Sequence, residues 1–391
     1  MRCKKLIDQQ VVIAAAYRTP TGKFWGQLQP FSSAQLASQL VTKMLAVTNV
    51  EKNIIDQVIL GNVLSSGTGQ NLARQVQLNA GLEPTGSAMT VNQVCGSGLK
   101  AIRLAQEALV MNDARAVIAG GVESMSNAPA FVPRSGKNEF LQQSIHDSLQ
   151  EDGLQDDFGH YAMGVTAETL AQKFQISRKQ QDQYALQSQK RAAKASQVGD
   201  FDQEILKISS LSYDEPIRPH TDLQTLGKLP PVYQKQGSVT AGNSSPLSDG
   251  ASALLLMKAE TAQAAGMLPL ARITAYQEVG YYPELMGYAP VIAIQKLLAK
   301  KHQQVSDIDL FEVNEAFAVQ ALVVQQELQI APERYNVSGG ALALGHALGS
   351  SGSRIVTTLV HNLIRTRQQY GIAALCIGGG QAIALEVENL Q

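Results

Sequence analysis

Two stretches of this sequence run in the same order roughly 255 residues apart, and that repetition constrains the fold more than any other feature. Val12-Ile13-Ala14 is echoed by Arg272-Ile273-Thr274, and Ile55-Asp56-Gln57-Val58 by Ile308-Asp309-Leu310-Phe311. Cys95-Gly96-Ser97-Gly98 opens a helical pattern over 99–111, while Ala343-Leu344-Gly345-His346 leads through Gly349-Ser350-Ser351 to another over 355–364. Each copy ends on an apolar strand with a glycine cluster: Val117-Ile118-Ala119-Gly120-Gly121, then Leu375-Cys376-Ile377-Gly378-Gly379-Gly380. Two copies make a pair of like halves. In the first, apolar runs at 11–15 and 58–60 alternate with an amphipathic helix at 34–46. That alternation predicts βαβ units around a buried, mostly parallel sheet, an α/β fold.

Between the halves the texture changes. Residues 122–245 are polar and Asp/Gln-rich with scattered Gly and Pro. One helix stands out there: Ser177 and Gln180 make a capping box, and Gly199 can stop it. So long an insertion builds a binding surface or an oligomerisation arm.

The 391 residues, 45% hydrophobic and 17% charged, suit a large core in two or three packed units. Lys+Arg of 32 against Asp+Glu of 33, with no basic block, favours neither nucleic acid nor an anionic membrane as partner. Apolar runs such as 251–257 are too short to span a bilayer, and the polar opening 1–10 has no signal-peptide core, so a cytoplasmic location is expected. Three cysteines, Cys3, Cys95 and Cys376, make no disulfide framework, and each is judged singly.

Cys95 falls at a predicted strand-to-helix turn, where free N–H groups and the helix dipole favour a thiolate. The glycines after it leave backbone N–H groups free for an oxyanion, or serve close packing only. His346 falls at the corresponding turn of the second half, and packing of the halves would bring it to the same crevice to take the Cys95 proton; the alternative is a satisfied structural histidine. Cys376, with an ordinary thiol pKa near ~8.5, suits proton removal beside a thioester, or is an inert buried thiol. Asn314-Glu315 follows a strand at 310–313 and opens a helix, as caps or as an amide that holds a water. No His or carboxylate spacing suggests a metal.

Taken together, Asn92-Gln93-Val94-Cys95-Gly96-Ser97-Gly98-Leu99, Asn314-Glu315-Ala316-Phe317-Ala318, the segment 339–346 with Gly349 and Gly352, and Cys376-Ile377-Gly378-Gly379-Gly380 resemble the four active-site motifs of the thiolase family in order and spacing. The resemblance extends to Tyr17-Arg18-Thr19-Pro20, Ala241-Gly242-Asn243 and Asp249-Gly250-Ala251, and so covers essentially the whole chain. It implies the thiolase fold: duplicated α/β halves in five layers, αβαβα, with an inserted loop domain. The first half would be 1–121 plus 246–268, the loop domain for CoA binding and oligomerisation 122–245, and the second half 269–391. A homo-oligomer, dimer or tetramer, is implied as well.

Carried over position by position, Cys95 resembles the acylated nucleophile and His346 its base. His346 with a water on Asn314 would form one oxyanion hole, the N–H groups of Cys95 and Gly378 the other, and Cys376 would move the α-carbon proton. Arg218 resembles the adenine-stacking position; Thr225, Met163, Ala241 and Ser245 resemble residues lining the nucleotide and pantetheine tunnel; Met286 and Phe317 resemble residues around the acyl end. Acyl-CoA thioesters would be substrates, with no cofactor. The implied reaction is reversible Claisen condensation of two acetyl-CoA to acetoacetyl-CoA and CoA, the alternative being thiolysis of longer 3-ketoacyl-CoA. A decarboxylating synthase uses Cys with two His, and a mere CoA-ester carrier has no need of all four groups. Three positions depart from the pattern: Ala162 in Tyr161-Ala162-Met163-Gly164, where short-chain thiolases have histidine, Ala347 for the usual proline, and Pro246 where glycine is common.

Overall fold

The computed structural model describes residues 10–141 and 144–391. Cys3 and the polar opening 1–9 lie outside the described residues. The first half runs β1 (Val11–Arg18), α1 (Ser33–Thr48), β2 (Ile55–Gly61), α2 (Leu72–Asn79), β3 (Ser87–Val91), α3 (Ser97–Met111) and β4 (Ala116–Ser124). The insertion follows, with α4 (Met163–Lys173) and α5 (Arg178–Val198), and β5 (Ser248–Lys258) completes the half. The second half is β6 (Ala271–Gly280), α6 (Ala289–Lys301), β7 (Leu310–Val313), α7 (Ala318–Glu327), α8 (Leu348–Thr366), β8 (Tyr370–Ile377) and β9 (Gln381–Asn389). Because β4 runs on to Ser124, the chain leaves the sheet later than the boundary at 121. Among the described residues no helix is long and apolar enough to cross a membrane.

The strands follow the order β7-β8-β9-β6-β1-β5-β4-β2-β3. Reading outward from β1 and from β6, each half shows two antiparallel pairs and then a parallel one, to which the first half adds the parallel pair β2–β3, so the sheet is mixed and not the mostly parallel one expected from sequence. The duplication reaches fine detail: a bulge between Ile13 and Ala15 in β1 recurs between Ile273 and Ala275 in β6. The halves join along the sheet by only two residue pairs, Val12 with Arg272 and Ile13 with Ala271. A counterpart of β3 is reduced to a single bridge between Phe311 and Tyr335. The Asn336 side chain takes its place, with its carbonyl accepting from Val313 N–H at 2.8 Å and its amide donating to the Val313 carbonyl at 2.9 Å.

Register corrects one part of the repeat. Gln57 stands opposite Val117 as Leu310 stands opposite Gly371, so the equivalents of Gly120-Gly121 are Ala374-Leu375, and Cys376 matches Val122. The two glycine clusters are therefore not counterparts. A side chain at Gly120 would run into the Ser252 carbonyl of the neighbouring strand β5, and one at Gly121 into the Gly349 carbonyl of α8, so the first serves close pairing within the sheet and the second close approach of sheet and helix.

Three apolar clusters separate the layers. Helices α1 and α2 cover one face of the first sheet, α6 and α7 one face of the second, and α3 with α8 fill the space between. Five layers result. Alternation along β1 sends Val11, Ile13 and Ala16 to the middle cluster and Val12 and Ala15 to the outer one. Leu99, Ile102, Ala105 and Leu109 form the fully buried stripe of α3, and truncating such a leucine costs about 2–5 kcal/mol.

The insertion is tied to β1 through Arg18. Its guanidinium meets both oxygens of Asp214 at 2.6 and 2.9 Å and Glu204 at 2.5 Å, all fully buried, and those carboxylates hold its pKa above the ordinary value despite burial. Helix α5 starts on the Ser177/Gln180 capping box and ends at Gly199 in the left-handed conformation, as its sequence predicts.

Candidate active site

Cys95 sits where β3 gives way to α3, after an elbow in which Val94 takes a φ of +46°. For a β-branched residue this is an outlier that costs about 1–3 kcal/mol, so the surroundings must impose it. They do so through Asn92, whose side-chain oxygen accepts from Val94 N–H at 2.9 Å, and Ser97, whose hydroxyl donates to the Val94 carbonyl at 2.6 Å. The Gln93 amide donates to Glu278 on β6 and to Gln381 on β9, so the second half grips the elbow too. The elbow opens on a cavity of about 480 Å³ lined by Cys95, His346, Cys376 and Gly378.

His346 reaches this cavity from the second half. What precedes it is a helical turn, Ala341–Leu344, ended by Gly345 at φ +97°, and not the strand expected from sequence. The Asn336 side chain has already closed that edge of the sheet. His346 Nδ1 lies 2.5 Å from Ser351 Oγ, which is also 2.9 Å from the Ala347 carbonyl. The hydroxyl can donate to Nδ1, leaving the ring proton on Nε2, or turn to Ala347 and accept from Nδ1, leaving Nε2 a base. Nε2 itself has no partner among the described residues. Burial, reinforced by the Arg354 charge, pushes the imidazole down to about 4, so the ring is neutral at pH 7.

Cys376, at the end of β8, is buried and packs with Met286 and Phe317. The backbone N–H groups of Gly378 and of Cys95 itself act on the Cys95 thiol, favouring its thiolate. Burial nevertheless pushes Cys95 up to about 12, and raises Cys376 further, the adjacent Cys95 sulfur adding to it. Both results correct the sequence reading. The surface of Cys95 is partly open to the cavity, but the protein around it excludes enough water for desolvation to outweigh the helix terminus, and Cys376 does not keep an ordinary thiol pKa.

Asn314 follows β7 and is fully buried beside the strand that carries Cys376, donating its N–H to the Ala374 carbonyl at 2.9 Å. It does not line the cavity, and neither its side-chain nitrogen nor its oxygen has a partner among the described residues. Glu315 is an anchor: its carboxylate accepts from Tyr184 and Ser188 of α5, at 2.8 and 2.7 Å, and from Asn336 and Leu342 N–H.

Met163, Ala241, Ser245, Met286, Phe317 and the exposed Arg218 all line the cavity, as do Ala162 and Pro246. Thr225 does not. It is exposed on the short helix Leu223–Gly227, with its N–H capped by Asp222 at 2.7 Å. Val94, Met125, Leu154, Tyr233 and Leu348 also line the cavity and were not picked from sequence. These are apolar or aromatic residues from separate segments, and nothing in their local spacing marks them.

Thus an α/β protein of two like halves presents two thiols and an imidazole to one crevice between them. Models of the thiolase N-terminal and C-terminal domains match residues 11–260 and 267–389. A probable acetyl-CoA acyltransferase of Staphylococcus epidermidis is 44% identical, over 98% of this chain and 99% of its own. A Staphylococcus aureus protein of the same description is 44% identical, over 97% of this chain and 99% of its own. The crystal structure of the Bacillus anthracis acetyl-CoA acetyltransferase aligns with a TM-score of 0.93 at 39% identity, covering 97% of this chain and 99% of that one. Human mitochondrial 3-ketoacyl-CoA thiolase aligns with a TM-score of 0.94 at 41% identity, covering 98% and 100%. The chain belongs to the thiolase family of acyltransferases.

Proposed function

We propose that the protein catalyses the reversible Claisen condensation of two acetyl-CoA molecules to acetoacetyl-CoA and CoA, through an acetyl group carried on Cys95. The observation that supports this most directly is the convergence of Cys95, His346, Cys376 and Gly378 on one cavity. In the first half-reaction Cys95 Sγ attacks the thioester carbonyl while His346 Nε2 takes its proton. Each group alone is held neutral by burial; formed together, thiolate and imidazolium are each other's counter-charge. The carbonyl oxygen turns to the N–H groups of Cys95 and Gly378, and losing one such donor commonly costs ~2.7–4 kcal/mol of barrier. The bond to the CoA sulfur then breaks, and CoA leaves with the proton from His346.

In the second half-reaction the Cys376 thiol passes its proton to His346 Nε2, neutral again once CoA has left, and as thiolate removes the α-proton of a second acetyl-CoA. The enolate oxygen rests on His346 Nε2–H and on a water held by the Asn314 amide. The α-carbon attacks the acetyl carbon on Cys95, the carbon–sulfur bond breaks, and the departing Cys95 sulfur receives the proton from His346, while Cys376 keeps the α-proton and all three groups return to their starting state. CoA is a substrate throughout and no cofactor takes part. Arg218 at the mouth and Met163, Ala241 and Ser245 on the walls would carry the nucleotide and pantetheine.

Incubation with acetyl-CoA should add one acetyl group to the protein by mass spectrometry, and Cys95→Ala should abolish it with an unchanged melting curve. Acetylation of the Cys95→Ala variant at the wild-type rate would refute the assignment. A preference for longer chains has one observation in its favour: alanine at position 162 on the cavity wall. Thiolysis rates across a 3-ketoacyl-CoA chain-length series separate the two readings.

A further inference from the structure

Helix α8, which follows His346, has no side-chain cap of its own, because Ala347 stands at its N-cap. The acceptor comes from the other half. Glu123, near the end of β4, is fully buried, and its two oxygens take four N–H groups. Asn62 donates to one oxygen at 2.7 Å and Leu64 N–H at 3.1 Å; Val63 N–H donates to the other at 3.0 Å and Gly349 N–H at 2.8 Å. Gly349 is the second residue of α8. A Cβ there would lie 2.7 Å from the Val122 carbonyl and 2.9 Å from the Glu123 carboxylate, so only glycine lets the helix start approach this closely.

What the carboxylate holds lies on both sides of the cavity. Val63 and Leu64 pack with Leu348, and Cys95 lies against that cluster. Gly349 is fixed just beyond His346. Burial pushes Glu123 up to about 7 in spite of its donors, with the nearby Asp249 charge adding to the rise, so the carboxylate is an expensive way to join two elements that apolar packing could join.

We propose that Glu123 is a positioning residue: from the first half it sets where the second half presents His346 to Cys95. This rests on the roles given above to Cys95 and His346. In Glu123→Gln an NH2 group faces two N–H donors. The expected result is a fall of about tenfold or more in the rate of Cys95 acylation by acetyl-CoA, with KM changed by less than about twofold. In a His346→Ala background the same substitution should change the residual rate by less than about twofold, because the effect runs through the imidazole. Should Glu123→Gln fail to fold, Asn62→Ala removes one donor without stranding a charge, and the same cycle should show a loss of about threefold that vanishes in the His346→Ala background. Equal losses with and without His346, or a raised KM with unchanged kcat, overturn the proposal alone. A His346→Ala enzyme that is acylated at the wild-type rate overturns the reading of the site and this proposal with it.

Discussion

Replacing Ser351 by alanine tests how His346 is held without touching a group that meets substrate. Among the described residues Ser351 Oγ is the one partner of Nδ1, at 2.5 Å, and both residues are buried. Removing it strands a polar ring nitrogen away from water, which costs about 1–3 kcal/mol. If that cost falls on the transition state, the rate drops by about 5- to 150-fold. The hydroxyl serves the ring in both of its proton arrangements, so both half-reactions should slow: acylation of Cys95, followed by CoA release in a rapid-mixing experiment, and α-proton exchange of acetyl-CoA, followed by deuterium incorporation. KM should change little, since Ser351 does not line the cavity. Ser351→Thr keeps the hydroxyl and should recover much of the loss. Wild-type rates in Ser351→Ala, or a defect confined to KM, would refute the reasoning.

Other outcomes follow from neighbouring groups. Cys376→Ala should still be acylated by acetyl-CoA but lose α-proton exchange and condensation; equal loss of all three would make Cys376 structural. Wild type should thiolyse a C6 3-ketoacyl-CoA within about tenfold of acetoacetyl-CoA, about 1.4 kcal/mol of discrimination, and Ala162→His should widen the gap in favour of C4; equal slowing of both would remove Ala162 from the account of chain length. Arg18→Ala strands two buried carboxylates and should destabilise the protein by about 3–5 kcal/mol in denaturant unfolding, and a loss under about 1 kcal/mol would mean that Asp214 and Glu204 find other partners.

Local pattern announced the elements whose ends it controls. The capping box at Ser177 and the stop at Gly199 bound α5 where they were read, because both act within a few residues of themselves. The elbow at Cys95 was visible in its small residues, but not the left-handed Val94, since Asn92 and Ser97 impose that conformation against the residue's own preference. The sign of the thiol shift was illegible for a different reason: desolvation depends on how much protein surrounds the sulfur, which no spacing records. Glu123 did leave a trace, an acidic residue in an otherwise uncharged buried strand, and such a residue demands partners. Ser351 left none, being one of three serines in a Gly/Ser run.

The two-pair joint between β1 and β6 bears on whether either half could ever live alone. What unites them besides is the shared middle layer, where α3 of the first half lies against α8 of the second, together with the insertion, whose α5 holds Glu315. Cut the polypeptide between 260 and 267, and each fragment keeps a sheet with its outer helices but shows water a bare apolar face on the inner side. Made separately, such fragments should aggregate; made together, they should find one another and restore turnover. A duplication of this kind is thus less a doubling of an independent ancestor than an internal dimer, fused at its interface, whose reactive groups were free to diverge because every copy of one half is born beside the other.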